Sequence, residues 1–283
     1  MWATDALFRS LLVADYSPLF IVWTSHVICL VVTANIVMRH RAQLSALGSR
    51  DWLIVTYVAC AGGAVAMVCF TQAFATASNY TVPILIQKLQ PVIALALAVL
   101  FLRERPHAKF FAFAAIALVG AYLVSFGLTI VDVSATDLEA ILYALAAAAI
   151  WGSTTVAGRH LSGRLSPHVL TSLRYVIATV FLTLWCGITG DLAEVGAPAF
   201  AEDLFVFVPM ALGPGLIALF IYYFGLRQST AASATFAELA FPIGAIAVNW
   251  AFLDAELTGV QIIGAALLLG SVTLMSGSVD TAG

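Results

Sequence analysis

A lysine and two glutamines interrupt the long apolar run ILIQKLQPVIALALAVLFLRERP, residues 84–106. They are Gln87, Lys88 and Gln90, and ionisable groups at membrane depth usually face a bundle interior or a water-filled cavity. Lys88 is therefore part of a solute pathway, or its flexible stem reaches (snorkels) to the membrane interface, or it is held in a structural pairing. The two glutamines favour the pathway, since an amide is costly to bury against lipid.

An acid and an amide occur in a second apolar run, FAELAFPIGAIAVNWAFL, residues 236–253. On a helix, Glu238 and Asn249 fall on one stripe together with Pro242 and Ala245. Such a stripe suits a cavity wall, where Glu238 can neutralise a cationic solute group or carry a coupling proton. The alternative is a carboxyl group that a neighbouring helix holds for structural reasons.

Two other apolar runs, AIWGSTT and SLRYVIA, carry polar groups beside aromatic ones. Arg174, which is followed by Tyr175, can bind a carboxylate or phosphate through a two-pronged contact, or it can have a structural role. Trp151 is followed by a serine and two threonines, which suits a stacking wall for a ring, although ordinary packing also explains a tryptophan. The sequence leaves both alternatives open at each place.

The elements that must position these residues are membrane-spanning helices. The chain has 283 residues, of which 62% are hydrophobic and 10% charged, whereas a soluble domain carries about 25% charged residues. Apolar stretches of about 20 residues recur along it, long enough to cross a bilayer as helices. The predicted spans are 17–38, 52–77, 81–102, 107–130, 138–161, 167–189, 203–227, 231–253 and 258–278.

The loops between these spans separate by charge. One set holds Arg39, Arg41, Arg50, Arg103, Arg105, Lys109, Arg159, Arg164 and Arg227. The alternate loops hold Asp132, Asp137, Glu139, Asp191, Glu194, Glu202, Asp203, Asp254 and Glu256, with no lysine or arginine. The positive-inside rule predicts that the arginine loops and the carboxyl terminus lie in the cytoplasm. We therefore expect a multi-pass protein of the plasma (inner) membrane.

The chain contains an internal repeat. Residues 2–18 align without gaps to residues 151–167, with Ser17-Pro18 opposite Ser166-Pro167. We expect a first repeat at 2–130, with an incomplete first helix because only Met1 precedes its tryptophan, and a second repeat at 137–278. An odd number of five helices per repeat would place the two in opposite orientations, an arrangement typical of secondary transporters.

Two glycine-rich stretches stand at matching places in the repeats: CAGGA at 60–64 and LGPGL at 212–216. Corresponding glycine or proline interruptions are a sequence indication of a transporter site near the bilayer midplane. Close helix packing explains them equally well, since small residues let membrane helices approach.

Enzymatic signatures are absent from the sequence. There is no HExxH, no GxSxG and no GxxxxGK[ST] motif, and the four cysteines lie in apolar segments without CxxC spacing. We therefore expect a protein that is not an enzyme, with no metal ion, no cofactor and no nucleic-acid partner. Its expected partners are a small-molecule solute, the lipid bilayer and, in one reading of Glu238, a coupling proton.

The sequence resembles the drug/metabolite transporter superfamily, in its EamA-like branch of ten-helix permeases. The resemblance rests on AAIWGSTTVAGRHLSGRLSP followed by LRYVIA, on QPVIALALAVLFLRERP, and on FAELAFPIGAIAVNWAFLDAELTGVQIIGAALLLGSV. It implies an all-α polytopic bundle of two inverted five-helix repeats around a central cavity, and an arginine-aromatic pair with a structural role. The implied function is secondary-active transport by alternating access, with export of a small metabolite such as an amino acid. The alternative is a non-transporting membrane receptor or scaffold that binds a small molecule.

Overall fold

The computed structural model describes residues 4–78, 81–130, 138–240, 243, 258–275 and 279–280. The helices are α1 (Asp5–Leu12), α2 (Pro18–Arg39), α3 (Arg41–Ser45), α4 (Ser49–Thr76), α5 (Thr81–Gln87), α6 (Gln90–Leu97), α7 (Ala108–Phe126), α8 (Leu138–Ser162), α9 (Pro167–Thr189), α10 (Phe200–Gln228), α11 (Ala231–Glu238) and α12 (Gly259–Met275). A π-helical turn, Ala98–Leu102, follows α6, and a 3₁₀ turn, Asp191–Gly196, follows α9. Strands β1 (Arg105–Pro106) and β2 (Val279–Asp280) pair antiparallel.

Seven helical stretches are long and apolar enough to cross a bilayer: α2, α4, Val82–Leu102, α7, α8, α9 and α10. Helices suit this environment because they satisfy their backbone hydrogen bonds internally. Seven of the nine predicted spans match these stretches, and an eighth matches the shorter apolar helix Gly259–Leu274. The ninth, 231–253, lies mostly outside the described residues. The prediction of a polytopic helical membrane bundle is confirmed.

Serine-proline pairs begin two of the long helices. Ser17 and Ser166 are the N-cap residues, and Pro18 and Pro167 occupy the first helical position. Proline is favoured there because its missing N–H has no helical partner to lose. The Ser17 hydroxyl accepts from the backbone N–H of Phe20 at 3.2 Å, which satisfies one of the free amides of α2.

The same two serines contact distant parts of the chain. The backbone N–H of Ser17 donates to Oε2 of Glu194 at 2.9 Å. The backbone N–H of Ser166 donates to Oε1 of Gln43 at 3.0 Å. In each case a side-chain oxygen from one half of the chain fixes the start of a long helix in the other half.

Polar clusters tie the helices together at both ends of the bundle. At the end that carries the arginine loops, here called the basic end, Asp51 accepts from Arg164 at 2.7 Å and lies 3.2 Å from Nε2 of His160. At the opposite, acidic end, the Tyr16 hydroxyl donates to Asp203 at 2.7 Å. Burial and the nearby Asp203 carboxylate raise the pKa of Tyr16 to about 12, so its hydroxyl remains a donor at neutral pH.

Helices α7 and α12 pack backbone to backbone. A Cβ atom added at Gly120 would lie 2.8 Å from the backbone nitrogen of Leu268 and 2.9 Å from the carbonyl oxygen of Gly264. A Cβ atom added at Gly264 would lie 2.8 Å from the backbone nitrogen of Val124. Membrane helices gain van der Waals contact by such close approach, and here it requires glycine on both sides.

The glycine-rich stretches form π-helical turns inside two long helices. CAGGA lies in the turn Val58–Val65 of α4, and LGPGL lies in the turn Ala211–Ile217 of α10. The wider turn displaces carbonyl groups from the regular hydrogen-bond ladder, and such turns are frequent at functional sites. The span predicted at 81–102 also departs from a regular helix, with a turn at Lys88 and Leu89 between α5 and α6.

Candidate functional site

A cavity of about 420 Å³ lies among these helices. Its volume is within the range of about 300–1,000 Å³ that is typical of small-molecule sites. Its aromatic lining consists of Phe70, Phe126, Trp151, Tyr175, Tyr222 and Tyr223. Its polar lining consists of Asp5, His26, Gln87, Lys88, Gln90, Ser125, Thr154, Thr155, Arg174, Glu238 and Gln261. A membrane protein with this many polar groups in one cavity has an interior suited to a polar or amphipathic solute.

Seven of the eight candidate residues taken from the sequence line this cavity: Gln87, Lys88, Gln90, Trp151, Arg174, Tyr175 and Glu238. The eighth, Asn249, lies outside the described residues, as does Pro242 of its stripe. Six different helices or turns supply the seven side chains, so the cavity brings together positions that are far apart in the chain. Their role in solute passage stays a prediction.

Lys88 is part of the cavity wall. It lies on the turn between α5 and α6, and only 7% of its surface is exposed. A lysine that snorkels to a membrane interface leaves its side chain on the outer surface of the protein, whereas this one is enclosed. The location therefore argues against snorkelling, and the solute pathway and a structural pairing remain the two interpretations of Lys88.

Glu238 ends α11 and meets a group of uncharged polar side chains. Its Oε2 accepts a hydrogen bond from Nε2 of Gln90 at 2.9 Å, and the Tyr222 hydroxyl lies close to the carboxyl group. Tyr222 also donates to Oγ1 of Thr155 at 2.9 Å. A carboxyl group surrounded by an amide and hydroxyls can exchange these partners for a solute group or for a proton.

The carbonyl oxygen of Gly62 positions two cavity side chains. It accepts from Nε1 of Trp151 and from Nη2 of Arg174, each at 3.0 Å. The carbonyl is available because Gly62 lies in the π-helical turn of α4. A Cβ atom at this position would lie 2.7 Å from Oγ1 of Thr154, so only glycine allows the helices to approach this closely.

Arg174 brings a positive charge to the cavity without a described carboxylate partner. Besides the Gly62 carbonyl, its Nη1 donates to the Tyr223 hydroxyl at 3.2 Å. Across the described ranges, Nε of Arg174 has no hydrogen-bond partner. The guanidinium group is thus held in place by neutral acceptors, and it can donate to the carbonyl or anionic edge of a solute.

Aromatic rings in fixed orientations form the cavity wall beside Arg174. Trp151 meets Phe70 edge to face, with ring centroids 5.2 Å apart and an interplanar angle of 61°. Tyr175 meets His26 in the same manner, with centroids 5.2 Å apart. Because the Trp151 nitrogen is already bound to a carbonyl, the ring is fixed in orientation, and such a wall favours contact with a flat solute.

Sequence reasoning missed the contribution of α1. Asp5 lines the cavity, and its carboxylate pairs with Nε of Arg9 at 2.6 Å. Arg9 is 1% exposed, and its Nη1 also donates to Oγ1 of Thr71 at 2.5 Å. The signal was the spacing of the two charges, since residues four apart meet on one face of a helix. The segment is too short to span a bilayer, so none of the predicted spans includes it.

The other missed polar and tyrosine residues are His26, Ser125, Tyr222, Tyr223 and Gln261. Tyrosines and single polar residues are common in membrane helices, so nothing in the sequence alone separates these from packing residues. In the described part of the chain, no group of three or more His, Cys, Asp or Glu side chains converges on a metal-binding geometry. No described residue is therefore assigned to a metal ion or cofactor.

Comparison with known proteins agrees with this architecture. The model of the EamA-like transporter family matches residues 1–126 and 138–277. The riboflavin transporter ImpX of Fusobacterium nucleatum subsp. nucleatum is 30% identical over 281 residues, which cover 98% of this chain and 94% of that protein. A solved crystal structure superposes with a TM-score of 0.77 at 21% identity, covering 97% of this chain and 93% of the other, which shows the shared fold.

These matches span nearly the whole chain, and both the family and the named relative are transporters, which is a non-enzymatic class. Together with the apolar helices, they establish a multi-pass membrane transporter. The chain belongs to the EamA-like transporter family.

Proposed function

We propose that this protein is a secondary-active transporter that carries riboflavin, or a closely related flavin, through the central cavity by alternating access. The observation that carries the proposal is the pairing of a fixed aromatic wall with a cationic and amide edge in one cavity of about 420 Å³. A relative over nearly the full length is a riboflavin transporter, which supports the choice of solute.

The chemistry of a flavin matches this lining. Its three fused rings are flat and can lie against Trp151, while its carbonyl edge can accept from Arg174 and from the amides of Gln87 and Gln90. Its sugar-alcohol chain can bond with hydroxyl groups such as that of Thr155. The amino-acid solute expected from the family resemblance remains a prediction, but most amino acids would leave the aromatic wall without a partner.

We infer that the segments 2–130 and 137–278 are inverted repeats, with the solute site between them. The matched contacts of Ser17 with Glu194 and of Ser166 with Gln43 support this, since each repeat fixes a helix start of the other. The basic loops and the carboxyl terminus would then lie in the cytoplasm, at the plasma (inner) membrane. Rocking of one repeat against the other would open the site to each side in turn.

Glu238 is the group that we propose for proton coupling. It is positioned in the cavity and contacts Gln90 and Tyr222, both neutral hydrogen-bonding groups. Protonation of this carboxyl group would remove a negative charge at membrane depth and weaken the hydrogen bonds that its oxygens accept. Binding of a proton would then change the affinity of the site for the solute, and binding of the solute would change its affinity for the proton. Such a mutual effect is the requirement for coupling.

Flux through purified protein tests the proposal. Proteoliposomes should accumulate labelled riboflavin faster than empty liposomes, and excess riboflavin should compete more strongly than any of a panel of amino acids. Loading solute inside or outside, with pH gradients of either sign, tests the export direction that the family resemblance implies. Tight riboflavin binding without flux would favour the receptor interpretation, and competition only by amino acids would contradict the flavin assignment.

A further inference from the structure

A carboxylate from the first half of the chain caps a helix of the second half. Oε1 of Glu104 accepts from the backbone N–H of Ala231 at 2.8 Å, and Oε2 accepts from that of Ala232 at 3.1 Å. These are the first two amides of α11, which have no partner inside the helix. Thr230, the ordinary N-cap residue, meanwhile accepts from the N–H of Ser233 at 3.1 Å.

The cap is buried. Glu104 is 3% exposed, and both amides belong to residues with no exposed surface. A buried carboxylate is stable here because two amides and the positive end of the helix dipole surround it. Withdrawing α11 would leave that charge without partners, so the contact is made or broken as a unit.

Helix α11 is held at its other end as well. Its last residue, Glu238, accepts a hydrogen bond from Gln90. Residues of the segment 90–104 therefore form hydrogen bonds with both ends of α11. Its eight residues span about 12 Å at 1.5 Å per residue. The hydrogen bond between Gln90 and Glu238 borders the cavity, whereas the contact of Glu104 with the start of α11 lies next to the arginine loop of the basic end.

The cavity reaches toward the acidic end and not toward Glu104. Ser125 and Phe126, at the end of α7, and Gln261, at the start of α12, all belong to its lining. Of the described residues in 98–104 and 231–237, none lines the cavity. Segments 98–104 and 231–237 thus lie on the basic-end side of the cavity residues Gln90 and Glu238.

We propose that Glu104 is a positioning residue of the transport cycle, which holds α11 and its cavity residue Glu238 in place while the basic end is closed. Opening of the cavity at the basic end requires release of the N-terminus of α11 from Glu104. The inference rests on the proposed alternating access. It adds that the contact between Glu104 and the N-terminus of α11 resists opening of the cavity at the basic end. Packed elements of this kind switch between discrete arrangements and do not deform gradually.

Cysteine labelling measures both openings without reference to the solute. A background without native thiols would replace Cys29, Cys60, Cys69 and Cys186. One reporter is Thr235→Cys, on α11 and 0% exposed, and the other is Ser125→Cys, in the cavity wall. A membrane-impermeant maleimide is applied from each side of vesicles of known orientation.

Glu104→Gln and Glu104→Ala should raise the rate at which position 235 is labelled from the basic side. The same substitutions should lower the rate at which position 125 is labelled from the acidic side. We expect a change of about tenfold, because minor conformations of this kind are populated at roughly 0.1–10%. Glu104→Asp, which keeps the charge, should give an intermediate rate. Glu139→Gln is the matched control, because Glu139 is exposed in the first turn of α8 and should change neither rate.

Ala231→Pro tests the same contact from the other side. Proline is favoured at the first helical position, and it removes the N–H that donates to Oε1 of Glu104. It should reproduce the labelling change of Glu104→Gln, and the two together should have little more effect than either one. This variant also keeps the test decisive if Glu104→Gln fails to fold.

The flux readout separates a positioning role from general damage. Glu104→Gln should lower the maximal rate with little change in the KM for transport, since the cavity contacts remain. Folded variants with unchanged labelling at both reporters would overturn the inference, whatever the solute proves to be. A labelling shift in a protein that carries no riboflavin would instead support Glu104 and contradict the proposed solute.

Discussion

Gln90 and Glu238 are joined by a hydrogen bond of 2.9 Å, although 148 residues separate them in the chain. One residue begins α6 and the other ends α11, so the bond fixes two helix ends at the cavity. An amide is a suitable partner here, because it can donate to a carboxylate and can also accept from a protonated carboxyl group. The pair can therefore persist through a change of protonation.

The substitution Glu238→Gln tests the role of that carboxyl group. Glutamine keeps the size and the bond to Gln90, but it cannot bind or release a proton. Riboflavin exchange without a gradient should persist, whereas its acceleration by an imposed pH gradient should be lost. Flux assays in proteoliposomes measure both rates, with Glu202→Gln, at an exposed acid of the acidic end, as the control. Full proton-dependent flux in Glu238→Gln would contradict the coupling role.

The substitution Gly62→Ala tests the positioning of Trp151 and Arg174. The new Cβ would meet Thr154 at 2.7 Å, and relieving such overpacking costs about 1–3 kcal/mol. We expect transport to fall and KM to rise, and Thr154→Ala in the same chain should restore part of the loss. Gly213→Ala, in the other π-helical turn, meets nothing within 4 Å and should transport normally. An unaltered KM in Gly62→Ala would rule out this positioning role.

The substitution Arg174→Lys separates charge from geometry. Lysine keeps the positive charge, but its donors all lie on one nitrogen and cannot reproduce the planar fork that reaches the Gly62 carbonyl and the Tyr223 hydroxyl through separate nitrogens. A hydrogen bond to a charged group contributes about 1.5–3 kcal/mol, so KM should rise roughly tenfold or more. Arg227→Lys, at an exposed position, is the matched control and should leave KM unchanged. Equal KM values in both variants would favour a purely structural arginine.

The substitution Gly264→Ala tests the packing of α7 against α12. The added Cβ would lie 2.8 Å from the backbone nitrogen of Val124, and backbone atoms cannot move aside as a flexible side chain can. The folded state should lose about 1–3 kcal/mol of stability. Thermal unfolding in detergent should show a lower Tm than for Gly270→Ala, where the added Cβ meets nothing within 4 Å. Equal Tm values would mean that these helices can separate without cost.

The amino-acid sequence determined the class of the protein and seven of the residues that line its cavity. Long apolar runs have one stable solution in a bilayer, which is a set of helices, and the rare polar groups in those runs must face an interior. That reasoning predicted that Lys88 and Glu238 each border an interior cavity. The tertiary structure alone decided which groups meet: the Gly62 carbonyl with Trp151 and Arg174, and Glu104 with the start of α11. These contacts join residues that are far apart in the chain and depend on a helix turn or a close approach, which no local pattern of hydropathy or charge encodes.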